Sequence, residues 1–164
     1  MASSPANPYH SYLSGRDYRE VMAETPDRLT ELVHRLGPEG LERSLAPGKW
    51  SAAVIIAHLA DCEIAFAFRL RQALAESHHM IQPFDQDAWS KVYPAMRIDG
   101  ALDVFRSVRK WNLLLTGALP PGAFTKPVSH PERGEMTFQV ILETIAGHDL
   151  NHLAQLETIA SQKP

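Results

Sequence analysis

The spacing of apolar residues near the C-terminal end of the chain constrains its fold most. One set of side chains recurs there at alternating steps of three and four residues, namely Phe138, Ile141, Ile145, His148, His152, Gln155 and Ile159. Such steps place side chains on one face of an α-helix. The pattern therefore predicts a helix over residues 137–160, with Thr137 as its N-cap, whose buried stripe carries His148 and His152.

Three earlier segments show the same helical periodicity and complete an all-α architecture. The pattern predicts helices over 17–36, 51–76 and 99–119, with Ser51 and Asp99 as N-caps of the last two. Pro26 falls inside the first of them, so that helix is expected to be kinked or restarted there. We expect a four-helix bundle over 17–164, preceded by a loose or tucked-in leader over 1–16.

Two long loops, 77–98 and 120–136, interrupt the helical pattern. A loop as long as the first usually serves as a lid or a binding loop. The second, which contains Pro127, His130, Pro131 and Gly134, is expected to hold a short extended piece. Alternation typical of strands is otherwise scarce in this chain.

Composition excludes several functional classes. The chain has 164 residues and a net charge of −3, so it lacks the basic surface that nucleic acids or acidic membranes attract. No apolar stretch approaches the roughly 20 residues that a membrane-spanning helix needs. One cysteine, Cys62, rules out an intrachain disulfide, and the N-terminus lacks a signal-peptide pattern. The expectation is a cytoplasmic protein of one domain that binds neither nucleic acid nor membrane.

Three histidines on the predicted helices form a candidate metal site. His148 and His152 lie four residues apart, so a helix brings both imidazoles onto one face. His58 lies in an apolar run of the helix predicted over 51–76. Three neutral imidazoles without an obvious fourth protein ligand describe a metal site with an open position. Imidazole accepts zinc, nickel, iron or copper, and cellular supply decides much of the choice.

Residues beside these histidines admit more than one role. Asp61 shares a face with His58, and either orients an imidazole or a metal-bound water from outside, or is a solvated residue. Cys62 is either a fourth ligand or a small buried hydrophobe. Asp149 points about 100° away from His148 and is expected to cap or pair with a neighbouring element. The remaining histidines of the predicted bundle are expected in loops or on the surface, namely His34, His78, His79 and His130.

Three short segments together resemble the DinB/YfiT-like superfamily of metal-dependent bundle proteins. They are Ala46-Pro47-Gly48-Lys49-Trp50-Ser51 leading into Ala57-His58-Leu59-Ala60-Asp61, then Phe84-Asp85-Gln86-Asp87-Ala88-Trp89, then Ala146-Gly147-His148-Asp149-Leu150-Asn151-His152-Leu153-Ala154-Gln155. The resemblance places the family's metal triad on His58, His148 and His152. It also implies a four-helix bundle, often dimeric, that binds zinc, nickel or a similar divalent ion. Some relatives use low-molecular-weight thiols.

Two functions remain open on the sequence. The first is a metal-dependent transferase or hydrolase, in which one divalent ion activates a thiol or water for reaction with a small-molecule substrate. The second is a non-catalytic metal-binding or stress-response bundle with a structural metal. Structural zinc sites usually have four protein ligands, which favours the first unless Cys62 or Asp61 is a fourth ligand.

Overall fold

The computed structural model describes residues 7–162, which form a helical bundle with one small sheet. The six helices, numbered in chain order, are α1 (His10–Leu13), α2 (Tyr18–Leu41), α3 (Ala52–Ala75), α4 (Gln86–Ser90), α5 (Ile98–Gly117) and α6 (Phe138–Ser161). The three strands are β1 (His79–Met80), β2 (Pro127–His130) and β3 (Gly134–Thr137). Short 3-10 turns occupy Tyr93–Ala95 and Pro121–Thr125. The all-α four-helix bundle predicted from the sequence is confirmed.

The four long helices are arranged so that consecutive ones are not always neighbours. Helix α2 packs mainly against α6 and α5, and α3 packs mainly against the same two helices. Helices α2 and α3 therefore lie nearly diagonally across the bundle. This arrangement places α3 directly against α6, which brings His58 to the same level as His148 and His152.

A polar layer divides the buried core into two apolar parts. One apolar cluster includes Met22, Phe66 and Phe138, and the other includes Leu29, Phe105 and Leu156. Between them lie seven buried polar side chains of the four long helices, namely His58, Glu63, Arg109, Asn112, His148, Asp149 and His152. Buried polar groups are costly unless they are paired, so such a layer calls for a partner for each group.

The helix ends agree with the sequence patterns in part. The Ser51 hydroxyl accepts a hydrogen bond from the Val54 backbone N–H at 3.4 Å, as expected of an N-cap. The prediction of Asp99 as the cap of α5 is wrong: Arg97 is the N-cap residue, and Asp99 pairs with its guanidinium. Thr137 is the N-cap residue of α6, although its side chain makes no capping hydrogen bond.

The break in the first long helix lies at a glycine and not at Pro26. Within α2 only Gly37 departs from helical backbone angles, with φ of 61° and ψ of −178°, a region that favours glycine. The backbone stays helical through Pro26 and resumes a last turn after Gly37.

The second long loop contains extended structure, as expected, in the form of a hairpin. Strands β2 and β3 form an antiparallel hairpin, and β1 from the first loop joins β2 in parallel. This sheet buries His79 and His130, so the expectation of loop or surface positions is wrong for both. His34 and His78 are exposed, as expected. Among residues 7–162, no helix combines the length and the apolar character needed to cross a bilayer.

The segment before α2 packs against the bundle. The first six residues of the predicted leader lie outside the described residues, whereas α1 packs on α6 and buries Leu13. We refer to residues 7–16 as the N-terminal strap.

Candidate functional site

The structure brings His58, His148 and His152 together in the polar layer. His58 comes from α3 and the other two from α6, and one ligand atom of each lies within 4.8 Å of the others. The Nε2 atoms of His58 and His148 are 3.2 Å apart. All three residues are buried. We call this group the histidine triad.

Burial keeps the triad imidazoles neutral at neutral pH. Desolvation, with a smaller effect of His152, lowers the pKa of His58 to about 3. Desolvation lowers the pKa of His152 to about 4 although the Gln155 amide acts in the opposite direction. The pKa of His148 is also well below its usual value, mainly through burial and then through its two neighbours. Each ring therefore keeps a nitrogen lone pair available.

The donor set and its spacing fit a divalent metal ion. Two imidazole nitrogens bound to a tetrahedral zinc at about 2.0–2.1 Å stand roughly 3.3 Å apart, close to the 3.2 Å between His58 and His148. The Nδ1 atom of His148 is buried without a hydrogen-bond partner among the described residues. Three lone pairs converging in a buried layer are better satisfied by one cation than by one another.

One neighbour of the triad orients a ring directly. The Gln155 Oε1 lies 3.1 Å from Nδ1 of His152, so Nδ1–H donates to the amide oxygen and Nε2 is left as the acceptor. An outer partner of this kind fixes the tautomer of a metal-binding histidine. Gln155 appears on the apolar stripe in the sequence, but only the structure reveals this contact.

Asp61 and Cys62 occupy different positions relative to the triad. Asp61 is partly buried, and burial, followed by the negative charge of Asp61, raises the pKa of Tyr93. Within residues 7–162, no hydrogen bond joins Asp61 to a triad ring. The Cys62 Sγ is buried 3.4 Å from Nε2 of His58, and burial raises the pKa of its thiol. Cys62 is thus the nearest additional donor.

A buried ion network supports the triad from the side of α5. The Arg109 guanidinium donates to Glu63 at 2.7 and 3.0 Å and to Asp149 at 2.7 Å, and it also donates to the Met22 carbonyl at 3.0 Å. Asn112 donates to Glu63 at 2.8 Å. Desolvation raises the pKa of Asp149 to about 6 against the lowering effect of Arg109. The network ties α2, α3, α5 and α6 together beside the histidines.

The ion network confirms the predicted pairing of Asp149 and contains two residues, Glu63 and Arg109, that the sequence analysis did not single out. Asp149 pairs with a neighbouring helix, as predicted from its position beside His148. Glu63 and Arg109 were missed, although each carries a signal in the sequence. Glu63 interrupts the stripe Ile56, Leu59, Phe66 and Leu70 at the helical step, and Arg109 lies between Phe105 and Asn112 on the buried face of α5. A charged residue at a core position of a predicted helix indicates a buried ion pair.

Two cavities beside the strap reach the triad. A cavity of about 380 Å³ is lined by His148 and Cys62, and one of about 580 Å³ is lined by His152 and Gln155. Tyr9 lines both, and its ring packs edge-on against His148 with 5.3 Å between ring centroids. A ligand could therefore approach the triad through either cavity, in contact with Tyr9.

The strap approaches α6 closely at a glycine. A Cβ on Gly147 would lie 2.6 Å from the Tyr9 carbonyl oxygen and 2.7 Å from the Tyr9 Cβ. Only glycine permits this approach without a shift of the backbone of the strap.

Comparison with known proteins gives one family and one fold. The family model described as the DinB superfamily matches residues 22–156. A protein of Oceanobacillus iheyensis, named "Putative metal-dependent hydrolase OB0782", is 28% identical over 141 residues, 85% of this chain and 82% of its own. The "Putative metal-dependent hydrolase YfiT" of Bacillus subtilis is 26% identical over 145 residues, 86% of this chain and 81% of its own.

Two solved structures share the fold. The structure of YfiT from Bacillus subtilis, described as a probable metal-dependent hydrolase with an unusual four-helix bundle topology, aligns with a TM-score of 0.81 and 23% identity over 87% of this chain and 83% of its own. A mycothiol-dependent maleylpyruvate isomerase aligns with a TM-score of 0.68 and 13% identity over 95% of this chain and 63% of its own.

Proposed function

The chain belongs to the DinB superfamily, and from that premise we propose that it is a metal-dependent enzyme whose His58, His148 and His152 bind one divalent ion. The observation that supports this most is the triad itself, with three buried and neutral imidazoles whose ligand atoms lie within 4.8 Å of one another. Relatives named as metal-dependent hydrolases support the same assignment.

The chemistry follows from an open position on the ion. A divalent ion held by His58, His148 and His152 would supply a Lewis acid, which lowers the pKa of a water or thiol bound to it toward neutrality. The protein holds the ligands in place: Gln155 fixes the tautomer of His152, and the Trp50 ring packs on His58 with 4.9 Å between centroids. The cavity beside His148 and Cys62 receives the small-molecule substrate.

Hydrolysis and thiol transfer are the two reactions that this site would support. The names of the relatives favour water as the activated group. The structural similarity to a mycothiol-dependent isomerase favours a low-molecular-weight thiol. We propose zinc or nickel as the ion, because imidazole ligands suit both. Asp61 stays a proposed outer partner of the site, acting through water.

One observation favours a second candidate function, a bundle with a structural metal. The Cys62 Sγ lies 3.4 Å from Nε2 of His58, close enough for a small movement to make it a fourth ligand. A site closed by a thiolate would have no position for substrate. The two candidates therefore differ in one measurable property, the presence of an exchangeable ligand.

The proposed function is tested by removing and restoring the metal. The protein is stripped with a chelator, reloaded with one equivalent of zinc or nickel, and assayed for two reactions. One is hydrolysis of a p-nitrophenyl ester, and the other is displacement of chloride from chlorodinitrobenzene by the thiol of L-cysteine. We expect one of the two reactions to depend on the metal and to disappear in His148→Ala. The exposed His34→Ala serves as the matched control and should retain activity. Equal behaviour of the two variants would contradict the proposal.

We further propose a homodimer in the cytoplasm. Exposed large apolar side chains on α3 and α5, namely Ile64, Phe68, Trp111 and Leu114, support an interface between copies of the chain. Sedimentation equilibrium should give twice the mass of one chain. A monomer at all concentrations up to the millimolar range would contradict the dimer without affecting the metal site.

A further inference from the structure

The cavity beside His148 contains two arginines that neither the triad nor the ion network uses. Arg69 lies on α3, and Arg133 lies in the turn between β2 and β3. Both line the cavity of about 380 Å³ together with His148, Cys62 and the Phe66 ring. Two guanidinium groups therefore face the space from which a substrate would reach the triad.

Neither guanidinium has a carboxylate partner in the described part of the chain. Within residues 7–162, ion pairs at 4.0 Å or less involve other arginines, such as Arg109 with Glu63. Two acids, Asp85 and Glu132, also line the cavity, but neither forms an ion pair with Arg69 or Arg133. Asp85 accepts hydrogen bonds from the backbone at the start of α4, and Glu132 is exposed in the hairpin turn. The two positive charges are thus left for a ligand.

Arg69 is held in a fixed orientation. Its Nη2 donates to the Gln82 carbonyl at 3.0 Å, and its guanidinium lies over the Phe66 and Phe84 rings at 5.6 and 5.3 Å from their centroids. Stacking and one backbone contact leave other N–H groups of the fork free to donate. Burial lowers the pKa of Arg69, and the nearby charge of Arg133 acts in the same direction.

The charges of both arginines also reach His130, which lines the same cavity. Burial, Arg133 and Arg69 all lower the pKa of His130, whereas Glu132 acts in the opposite direction. Like charges placed together in a partly buried cavity are unfavourable until an anion neutralises them.

We propose that Arg69 and Arg133 bind an oxyanion group of the substrate, a carboxylate or a phosphate ester, beside the triad. This assignment rests on the proposed function, because it names the class of substrate that the proposed metal site would act on. Arginine recognises both groups through paired N–H donors. The apolar faces of Phe66 and Phe84 would contact the body of the same molecule. A small organic acid or phosphate ester thus fits the cavity better than a neutral molecule.

The proposal is tested by calorimetric titration of the full-length, zinc-loaded chain with succinate, inorganic phosphate and the neutral analogue succinamide. We expect at least one of the two oxyanions to bind and succinamide not to bind. Succinate alone would identify a carboxylate substrate, and phosphate alone a phosphate ester. Arg69→Met and Arg133→Met should each raise the dissociation constant tenfold or more. Arg106→Met, on the exposed face of α5, is the matched control and should leave it unchanged.

The outcomes separate this proposal from the proposed function. If circular dichroism shows that Arg69→Met does not fold, Arg133→Met alone tests the proposal, because Arg133 lies in a turn outside the helical bundle. Oxyanion binding that persists in His152→Ala, a variant expected to lose zinc, would support the arginines even if the metal-dependent reaction fails. Binding that is equal in wild type and in both arginine variants, or equal for succinate and succinamide, would overturn the assignment.

Discussion

Replacement of Gly147 by alanine should destabilise the protein although it improves helix propensity. In the interior of a helix, Gly→Ala ordinarily stabilises by about 1 kcal/mol. Here the added Cβ would lie 2.6 Å from the Tyr9 carbonyl oxygen and 2.7 Å from the Tyr9 Cβ. Both atoms are fixed to the backbone of the strap, so no rotation of a side chain relieves the contact.

The magnitude follows from what must move. Ordinary van der Waals contact requires the strap to shift by roughly 0.7–1 Å, and overpacking of this kind costs about 1–3 kcal/mol. The strap is also anchored by buried Leu13, and a hydrogen bond from the Tyr9 N–H to Asn7 Oδ1 at 3.0 Å stiffens it internally. Taking a cost of about 2–3 kcal/mol against a gain of about 1 gives a net loss of roughly 1–2 kcal/mol, or about 3–6 °C in Tm for a chain of this size.

The assay is urea unfolding monitored by circular dichroism, together with thermal melting. Gly100→Ala provides the matched control, because Gly100 lies in α5 and a Cβ there meets no atom within 4 Å. It should be neutral or stabilise by up to about 1 kcal/mol. If Gly147→Ala stabilised the protein as much as Gly100→Ala, the strap would not pack on α6 and the reasoning would be refuted.

Three further perturbations follow from the polar layer. Arg109→Met should lower the free energy of unfolding in urea by about 3–5 kcal/mol, because it leaves two buried carboxylates without their cation. Gln155→Leu should weaken zinc binding, measured by chelator competition, by about 10–100-fold, because His152 loses the partner that fixes its tautomer. The metal-free protein should lose stability in urea as the pH falls from about 6.5 toward 4. Its folded state keeps the pKa of His58 at about 3 and that of His152 at about 4, so the unfolded chain binds more protons. The pKa of His148 is lowered as well, so the raised pKa of Asp149, about 6, opposes this trend with one proton against the three of the triad.

Each of these predictions has a control variant or a result that would contradict it. Arg106→Met, at an exposed position of α5, should change the free energy of unfolding by less than about 0.5 kcal/mol. Gln139→Leu, on an exposed part of α6, should leave zinc affinity unchanged. An Arg109→Met variant as stable as Arg106→Met would show that the buried ion network does not stabilise the fold. A metal-free protein that becomes more stable on acidification would contradict the buried, neutral triad.

Local periodicity explains why the histidine positions could be anticipated from the sequence. His148 and His152 share a helix face because of their four-residue spacing, and an apolar stripe tells which face is buried. The same rule places His58 on the inner face of α3. These inferences depend on helix geometry alone, which the chain encodes over a few residues.

Pairing between distant segments could not be anticipated in the same way. The contact between Arg109 and Glu63 joins residues 46 positions apart, and it depends on which helices become neighbours. Strand β1 pairs with β2 across α4, α5 and two 3-10 turns, and its two residues carry no periodic signal. The approach of the strap to Gly147 likewise depends on tertiary packing. Sequence patterns identify the buried faces of helices, whereas the partners of charged residues on those faces require the structure.

X-ray absorption spectroscopy of the protein loaded with one equivalent of zinc tests the central claim most directly. We expect the zinc ion to have three imidazole nitrogens and one exchangeable light ligand at about 2.0–2.1 Å, and no sulfur neighbour. The signal of the imidazoles should be lost in His152→Ala. A sulfur neighbour at about 2.3 Å would show that Cys62 closes the site, and a coordination shell without imidazole would show that the ion does not bind to the triad.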